Sequence, residues 1–457
     1  MDVYLRTLGC RLNEAELQTW SQQFIDRGYQ ISNRSDKADL LVLNTCAVTG
    51  EAARKSRQIL RRMHRDNTAA KLVVTGCYAS LDESEAAGIL GVDLVVPNSK
   101  KEQLVEIINE QFNLDGELIQ TMPAFATEPG EAALFVRNRD RAFIKIQDGC
   151  RYKCSYCIVT KARGAEKSRT IRDISDEING LSENGVNEVV LTGVHVGGYG
   201  SDLNVSLKDL IEAILKNTDI KRVRFASVEP WDLPEGFFSL FDNPRLMPHM
   251  HLPLQSGSNT VLRRMSRRCN QDSFSSLIEQ ARKYVPGFNA TTDIIVGFPG
   301  ETEYEWQESL DYIQQIGFGH IHIFSYSHRA GTRAAKLDDQ LTNELKKRRS
   351  KELAAIAETM KSKALKEQLG QKVEVLWESG KEALSDGRTR FSGYTPNYHR
   401  VFSNLSSDAS RKILPVKLTQ LSTDGLSLEG DIDLSIQSTL PISEAHKSVS
   451  SISVKQL

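Results

Sequence analysis

No hydrophobic run in the sequence approaches the roughly 20 residues that a membrane-spanning helix needs. The first residues also lack the basic head and apolar middle of a signal peptide. These two absences argue against an integral membrane protein and against a secreted one. We therefore expect a cytoplasmic protein without a membrane partner.

The net charge is also small: 58 Lys and Arg residues balance 59 Asp and Glu residues, so the net charge is −1. Any contact with nucleic acid must then come from local basic patches and not from a global field. The apolar fraction of 40% and the charged fraction of 26% are ordinary for a water-soluble protein. A chain of 457 residues has room for about two to four domains, each with its own core.

Cysteine is scarce, with seven residues in the whole chain, which indicates metal binding or catalysis more than disulfide bonding. Three of them, Cys150, Cys154 and Cys157, form one cluster, and the aromatic Tyr156 precedes the last. Structural zinc sites usually have four ligands in paired knuckles, and no fourth ligand lies nearby. An iron–sulfur cubane held by three thiolates leaves one iron free for a small molecule. The segment predicts such a cluster; three incidental thiols are the alternative.

The first ~100 residues alternate short apolar runs with helical stretches, which predicts a doubly wound parallel sheet. The runs are 3–8, 40–43, 72–74 and 92–96, and residues 14–28 have the apolar spacing of a helix. Cys10, Cys46 and Cys77 follow the first three runs. Because ligands of such sheets lie beyond the carboxyl ends of the strands, the three thiols should converge there. We predict a second metal cluster in this N-terminal domain (1–120); separate buried thiols are the alternative.

Six further apolar runs predict an α/β domain of the partial (β/α)6 barrel type over residues 138–365. The runs are 142–146, 188–191, 223–228, 249–254, 292–296 and 320–326. The chemistry of such barrels lies in the loops after the strands, and the Cys150 loop follows the first run. Cys269 belongs to neither trio, and we interpret it as a bystander.

Polar and glycine residues follow the other runs of the barrel, as a cofactor pocket requires. His195 lies on the same rim, but a lone histidine is more often a hydrogen-bonded structural residue. Arg163 and Arg169 are candidates to pair with a carboxylate, with surface solvation as the alternative. The predicted cofactor contacts are Tyr156, Arg163, Gly193, Glu229, Gln255 and Gly297.

The remaining segments join or follow these domains. Residues 121–131 hold two prolines and a glycine and are typical of a linker. Residues 341–369 predict a charged connecting helix. Short alternating runs over 366–432 predict a small antiparallel β-barrel, and the serine-rich tail 433–457 is expected to be flexible.

Three basic segments are candidates for RNA contact. Residues 54–65 contain no acid, so we expect their positive charge to remain unneutralised and available to phosphates, although a solvated helix face is the alternative. Residues 263–268 form a second basic patch. The small barrel offers Arg388, Arg390, Phe391, Tyr394 and Tyr398 as exposed basic and aromatic side chains. The predicted RNA contacts are Arg61, Arg62, Arg65, Arg388 and Tyr394.

Together, these motifs resemble the radical S-adenosylmethionine (SAM) methylthiotransferases over nearly the whole chain. The resemblance rests on residues 7–13, 44–49 and 75–77, the Cys150 loop with residues 162–164, and residues 254–258 and 293–301. It implies two [4Fe–4S] clusters, SAM, a radical SAM barrel and a C-terminal TRAM-like barrel. It further implies a transferase that inserts a methylthio group at an unactivated C–H bond.

The family has three branches, which act on isopentenyladenosine in tRNA, on a ribosomal-protein aspartate, or on N6-threonylcarbamoyladenosine in tRNA. Residues 9–13 and 44–49 most resemble the bacterial threonylcarbamoyladenosine branch, whose target lies at position 37, just 3′ of the anticodon. The sequence departs from the common pattern at Thr160, at His195 and in residues 327–332. These departures bear on substrate preference more than on the chemistry.

The resemblance also implies roles for the two trios. Cys150, Cys154 and Cys157 would hold the cluster that cleaves SAM, and the resulting radical would abstract hydrogen from C2 of the adenine. Cys10, Cys46 and Cys77 would hold the cluster that carries the sulfur. The implied partners are the tRNA anticodon loop, an electron donor such as flavodoxin or ferredoxin, and a sulfur source. An RNA-binding protein with structural metal sites is the non-enzymatic alternative, although two trios fit four-ligand zinc poorly.

Overall fold

Five parallel strands form the first sheet of the computed structural model, which describes residues 1–113 and 140–432. Their order is β2-β1-β3-β4-β5, with Val3 opposite Leu40 and Leu40 opposite Lys71. The four predicted strands are confirmed, whereas the two-residue β2 is too short to produce a sequence pattern. The strands are β1 (Asp2–Thr7), β2 (Gln30–Ile31), β3 (Leu40–Thr45), β4 (Lys71–Gly76) and β5 (Leu94–Val96).

Helices cover both faces of this sheet, as the doubly wound prediction requires. Alternate residues of β3 enter the two cores: Leu40 packs with Trp20 of the first helix, and Leu41 packs with Leu60 of the second. The side chain of Thr49 caps the second helix by accepting a hydrogen bond from Ala52 N. The helices are α1 (Arg11–Asp26), α2 (Gly50–Asp66), α3 (Cys77–Leu81), α4 (Glu83–Ala87) and α5 (Leu104–Phe112).

The central domain is an open barrel of six parallel strands, in two hydrogen-bonded halves. All six predicted strands are present. The β6 strand (Ala142–Lys145) is followed by an unpredicted hairpin, β7 (Gln147–Asp148) and β8 (Lys167–Ser168), which encloses the Cys150 loop. The other barrel strands are β9 (Glu188–Thr192), β10 (Arg222–Phe225), β11 (His249–His251), β12 (Asn289–Val296) and β13 (His320–Ser325).

Helices packed outside the barrel strands bury one large apolar core. The last of them is the predicted connecting helix. Within the cysteine loop, α6 (Val159–Arg163) instead packs its Ala162 into a core of the N-terminal domain. The barrel helices are α7 (Ile171–Glu183), α8 (Leu207–Asn217), α9 (Asn259–Met265), α10 (Gln271–Tyr284), α11 (Glu303–Ile316) and α12 (Asn343–Lys366). Short 3-10 segments span Asn98–Gln103, Val196–Gly198, Phe237–Asp242 and Ala334–Lys336.

Five strands close the C-terminal barrel in the order β14-β15-β16-β18-β17. Its neighbouring strands are antiparallel, except that β16 and β18 pair in parallel. This barrel covers the amino ends of the central strands, where Arg222 Nη2 donates to Glu374 O (2.9 Å) and Asn289 Nδ2 donates to Asn397 O (2.8 Å). The strands are β14 (Lys372–Ala383), β15 (Thr389–Tyr394), β16 (Arg400–Leu405), β17 (Ile413–Leu421) and β18 (Leu428–Ile432).

Two predicted segments, the linker 121–131 and the tail 433–457, lie outside the described residues. Within the described ranges, no helix combines the length and the apolar character that crossing a bilayer demands.

Candidate active site

The first cysteine trio lies at the carboxyl edge of the N-terminal sheet. Cys10 follows β1 as the N-cap residue of α1, Cys46 follows β3, and Cys77 follows β4 as the first residue of α3. A parallel sheet of this strand order opens its ligand crevice between β1 and β3, where the chain leaves toward opposite faces. The trio therefore occupies the position at which this topology binds ligands.

Close backbone approach brings the thiols together. Gly9 has a φ of +101°, and a Cβ on it would lie 2.8 Å from Cys46 Sγ, so only glycine fits between the two cysteines. Asn98 Nδ2 lies 3.8 Å from Cys77 Sγ, and Cys10 Sγ lies 3.7 Å from Asn13 Oδ1. Burial raises the pKa of Cys46 to about 11, so the free thiol is protonated at neutral pH and a bound metal would displace that proton.

The second trio lies in the loop between β7 and β8. Tyr152 N and Val159 N donate to Cys150 Sγ and Cys157 Sγ, each at 3.4 Å, and Arg267 Nη1 lies 3.9 Å from Cys154 Sγ. Such donors stabilise thiolates and so prepare the loop for a metal. Burial raises the pKa of Cys150 to about 12 and that of Cys157 to about 11 in the free protein.

Neither cysteine trio has the close spacing of ligand atoms that a single metal ion requires. Among the described residues, the groups of three ligand atoms that all lie within 4.8 Å of one another are Cys150–Glu166–His195 and His251–Asp293–His322, and neither trio is one of them. One zinc ion with Zn–S bonds of about 2.3 Å would hold its thiolates about 3.8 Å apart. The wider spacing is compatible with the larger body of an iron–sulfur cubane.

Glu229 is the predicted cofactor residue whose environment most suggests a missing partner. Its Oε2 is inaccessible to solvent and has no hydrogen-bond partner among the described residues. Burial raises its pKa, although nearby His195 and Arg267 oppose that change. The charge of Glu229 also contributes to the raised pKa of Cys150, so the carboxyl group lies close to the cysteine loop. A cationic group such as the SAM amino group would satisfy it.

The other predicted cofactor residues lie around the same end of the barrel. Gln255 follows β11 with a φ of +78°, a conformation that non-glycine residues seldom adopt outside functional sites. Gly193 lines the central cavity, and Gly297 N donates to Glu301 Oε2 (2.9 Å). Tyr156, which precedes Cys157 in the sequence, packs against the apolar cluster that contains Val261 and Phe298. Their contacts with SAM remain predictions.

Arg163 is buried in an ion network that joins the two trios. Its Nη1 lies 3.0 Å from Glu16 Oε1 of α1 and 2.9 Å from Asp148 Oδ1 of the cysteine loop, and its Nη2 donates to Asn13 Oδ1 (2.6 Å). Two lysines complete the network, because Lys101 Nζ lies 2.7 Å from Glu16 Oε2 and Lys145 Nζ lies 2.9 Å from Asp148 Oδ2. These cations hold the pKa of Glu16 at about 2 despite its burial. The predicted pairing of Arg163 with SAM remains a prediction, and its guanidinium already has these partners.

Sequence reasoning missed the residues around His195. The imidazole is fully buried, with Nδ1 2.5 Å from Glu166 Oε1 and Nε2 2.6 Å from Asp232 Oδ2. Tyr152 donates to the other oxygen of Asp232 (2.8 Å). Burial alone would lower the pKa of His195, but the carboxylates of Asp232, Glu229 and Glu166 outweigh it and raise that pKa. Through Tyr152, these contacts connect the cysteine loop to the buried His195 and so fix the position of the loop. Arg169, the other candidate arginine, pairs with Glu177 instead.

A central cavity of about 880 Å³ runs from the first trio through the barrel to the small C-terminal barrel. Gly9 and Cys10 line one end, and Tyr394, Tyr398 and Arg400 line the other. Its volume lies within the range of ligand pockets. Cys269 lies apart from this cavity in the apolar core.

The predicted RNA contacts are only partly as expected. Arg61, Arg62 and Arg65 are exposed on α2. The expectation that nothing neutralises this helix is wrong, because Asp66 lies 3.2 Å from Arg62 and 3.6 Å from Arg65. Both pairs are exposed, and such pairs are weak.

In the small barrel, the predicted side chains separate into three environments. Phe391 is buried in the barrel core, so its prediction as an exposed contact is wrong. Tyr394 stacks on Tyr398, with ring centroids 4.6 Å apart, and faces the cavity. Arg388 is exposed and pairs with Asp386. An alternating pattern cannot tell which face of a strand another domain covers.

Two protein-family models match the chain. "Uncharacterized protein family UPF0004" matches residues 2–97, and "Radical SAM superfamily" matches residues 144–313. The solved radical SAM methyltransferase TsrM of Kitasatospora setae shares the fold, with a TM-score of 0.53 at 14% identity over 71% of this chain and 74% of that one. The central domain thus has a radical SAM fold, which implies SAM and a [4Fe–4S] cluster.

Curated relatives cover nearly the whole chain. The threonylcarbamoyladenosine tRNA methylthiotransferase MtaB of Bacillus subtilis is 35% identical over 91% of this chain and 93% of its own length. The tRNA-2-methylthio-N(6)-dimethylallyladenosine synthase of Methylacidiphilum infernorum is 33% identical over 95% and 96%. The chain belongs to the radical SAM methylthiotransferase family. The predicted enzyme class is confirmed, and the non-enzymatic alternative is not supported.

Replacing Arg163 by Met should destabilise the protein strongly, because Asn13, Glu16 and Asp148 would all lose the buried guanidinium that they share. Lys101 and Lys145 would remain beside the two carboxylates. We expect a loss of about 3–5 kcal/mol in the free energy of unfolding, measured anaerobically by urea denaturation with tryptophan fluorescence. Arg169→Met is the matched control and should cost about 0–1 kcal/mol, since its pair is partly exposed. Equal losses in the two variants would contradict the role of the network.

Proposed function

We propose that this enzyme transfers a methylthio group to C2 of N6-threonylcarbamoyladenosine at position 37 of tRNA. Two observations together carry the proposal. An MtaB relative matches nine-tenths of the chain, and the structure has two cysteine trios that one ion network joins. Methylthio transfer needs both the cleavage of SAM and a carried sulfur atom, and two separate trios supply a site for each.

We assign one [4Fe–4S] cluster to each trio. When bound, these groups supply reductive SAM cleavage at Cys150, Cys154 and Cys157, and a sulfur-carrying iron at Cys10, Cys46 and Cys77. The surrounding residues support the assignment. Backbone N–H groups point at two thiols of the second trio, and Glu229 has a buried oxygen with no hydrogen-bond partner in the described part of the chain, which suits the amino group of SAM. At the first trio, Gly9 leaves room for Cys46.

The substrate enters this scheme as an exposed nucleotide. A base of the anticodon loop is unpaired and can be splayed into the central cavity, where Tyr394 and Tyr398 present aromatic rings. Arg61, Arg62, Arg65 and Arg388 would contact phosphates outside it. A flavodoxin or ferredoxin as electron donor, a sulfur source and a cytoplasmic location are part of the same proposal.

Removing the trios separately should separate their functions. Anaerobically reconstituted wild-type protein should hold about eight irons, and either triple Cys→Ala variant about four. Loss of Cys150, Cys154 and Cys157 should abolish SAM cleavage, measured as 5′-deoxyadenosine release. Loss of Cys10, Cys46 and Cys77 should spare that cleavage and stop methylthiolation. Full methylthiolation by the latter variant would refute the sulfur-carrier assignment.

Mass analysis of tRNA nucleosides tests the substrate. Cells without this protein should accumulate N6-threonylcarbamoyladenosine and lack its 2-methylthio derivative, because no methylthio group is added. Purified enzyme should convert stem–loops carrying threonylcarbamoyladenosine much faster than unmodified ones. Preference for dimethylallyladenosine, the substrate class in the name of the second relative, would overturn the assignment and leave the reaction type.

Reversing the charge of Arg61, Arg62 and Arg65 to Glu should weaken tRNA binding, because these exposed cations would contact phosphates. The slope of log K against log salt concentration should become shallower by roughly 0.7–0.9 for each phosphate contact removed, measured by titration at several salt concentrations. The matched control changes Arg172, Lys208 and Lys216 to Glu on the outer helices of the barrel. The control changes the net charge by the same amount. Equal weakening by both triple variants would show that net charge, and not contact of these three arginines with phosphates, controls tRNA binding.

A further inference from the structure

The wall of the central cavity is rich in histidine, and most of these rings are uncharged. Burial lowers the pKa of His320 and that of His399 to about 4, and neighbouring cations add to the effect. Burial and nearby His251 likewise lower the pKa of His322. The acid on this wall, Asp293, lies 3.1 Å from His251 Nε2. The rings therefore offer hydrogen bonds without positive charge near pH 7.

Positive charge in the cavity is of two kinds. Arg11 pairs with Glu14 (2.9 Å), and Arg224 pairs with buried Glu188 (3.2 Å). Lys361 of α12 and Arg400 of β16 line the same cavity but have no ion pair with any described residue. Lys361 is half-buried, so its charge is costly without an ion-pair partner, and the exposed Arg400 adds positive charge close to it. A site with these two cations favours an anionic ligand.

The surroundings of the two cations hold them beside the cavity. Arg400 lies over the Phe402 ring, with its Cζ 4.8 Å from the centroid, which orients the guanidinium. Lys361 is half-buried, and its pKa is lowered by burial and by Arg400, while Asp424 opposes the change from beyond ion-pair distance. Arg400 is close enough to Lys361 to lower its pKa, and Lys361 in turn contributes to the lowered pKa values of His320 and His399. All four side chains line the same cavity, so the two cations act on the same space.

We propose that Lys361 and Arg400 bind the carboxylate of the threonyl group on N6 of the substrate adenosine and so select this substrate. The proposal rests on the proposed function. Among the tRNA substrates named for the family, threonylcarbamoyladenosine carries a carboxylate, whereas the dimethylallyl group is wholly apolar. An apolar group would desolvate both cations without a partner, and a site built for a polar group rejects its apolar analogue strongly.

The test compares three anticodon stem–loops in steady-state methylthiolation measured by mass spectrometry. They carry threonylcarbamoyladenosine, its methyl ester, or dimethylallyladenosine. Wild-type enzyme should have a kcat/KM about 10- to 100-fold higher for the free carboxylate than for the ester, through KM. In the double variant Lys361→Met, Arg400→Met, that preference should vanish, while the conservative Lys361→Arg should retain most of it.

Matched controls separate this role from damage to the fold. Lys363→Met and Lys417→Met remove exposed cations that do not line the cavity, and they should keep the full preference. Iron content and the circular dichroism spectrum establish that each variant is folded. A double variant that still prefers the free carboxylate, or a wild-type enzyme indifferent to esterification, would overturn the inference alone. Wild-type preference for dimethylallyladenosine would overturn both the inference and the proposed function.

Discussion

The buried ion network around Arg163 is the interaction on which the arrangement of the site depends. Two carboxylates, Glu16 and Asp148, face three cations, Arg163, Lys101 and Lys145. Taking this many charges out of water costs several kcal/mol each, and good geometry recovers that cost only if every charge is matched. One cation is in excess. The thiol groups of Cys10 and Cys77 lie close enough to raise the pKa of Arg163, so thiolates at the first trio would provide the missing negative charge. Ligation of metal by that trio and docking of the two domains therefore support each other.

This network also fixes where the reaction can occur. Asn13 and Glu16 lie on the first two turns of α1, which begins after Cys10, and Asp148 lies two residues before Cys150. One guanidinium that contacts all three therefore sets the position of one trio relative to the other. Catalytic geometry tolerates errors of well under 1 Å, and a rigid charged junction meets that demand better than an apolar interface, which can slide. The small barrel then closes the opposite end of the cavity and leaves a polar lumen between.

The sequence predicted the features that depend on local periodicity, such as the strands. It did not predict the contacts that form only when a second domain packs against the first. Strand runs and cysteine positions after strands are local, and both were found. Glu16 gave a usable signal, because a carboxylate at helical spacing from Trp20 falls on the buried face and needs a buried partner. Arg163 was a candidate to pair with a carboxylate, but the sequence does not identify Glu16 as that carboxylate, and nothing around Lys101 identifies it as a partner. Tyr394 and Tyr398 flank a polar turn, as surface residues often do, yet Arg141 lies over both rings and both rings line the cavity. β15 lacks a clear alternating apolar run, because polar residues flank its buried Phe391.

Ion pairs between the same residue types therefore have different roles in the interior and at the surface of the protein. Buried pairs such as Arg163–Glu16 cannot exchange partners, because separation would leave a charge without water, and they serve as fixed joints. Surface pairs such as Arg62–Asp66 contribute about 0–1 kcal/mol, so a phosphate can replace the carboxylate at little cost. A chain of net charge −1 can thus bind a polyanion without carrying a strongly basic surface when it is free. Between these extremes, the half-buried Lys361 has lost part of its water without gaining an ion-pair partner from the described chain. That intermediate state suits a site whose negative partner arrives with the substrate.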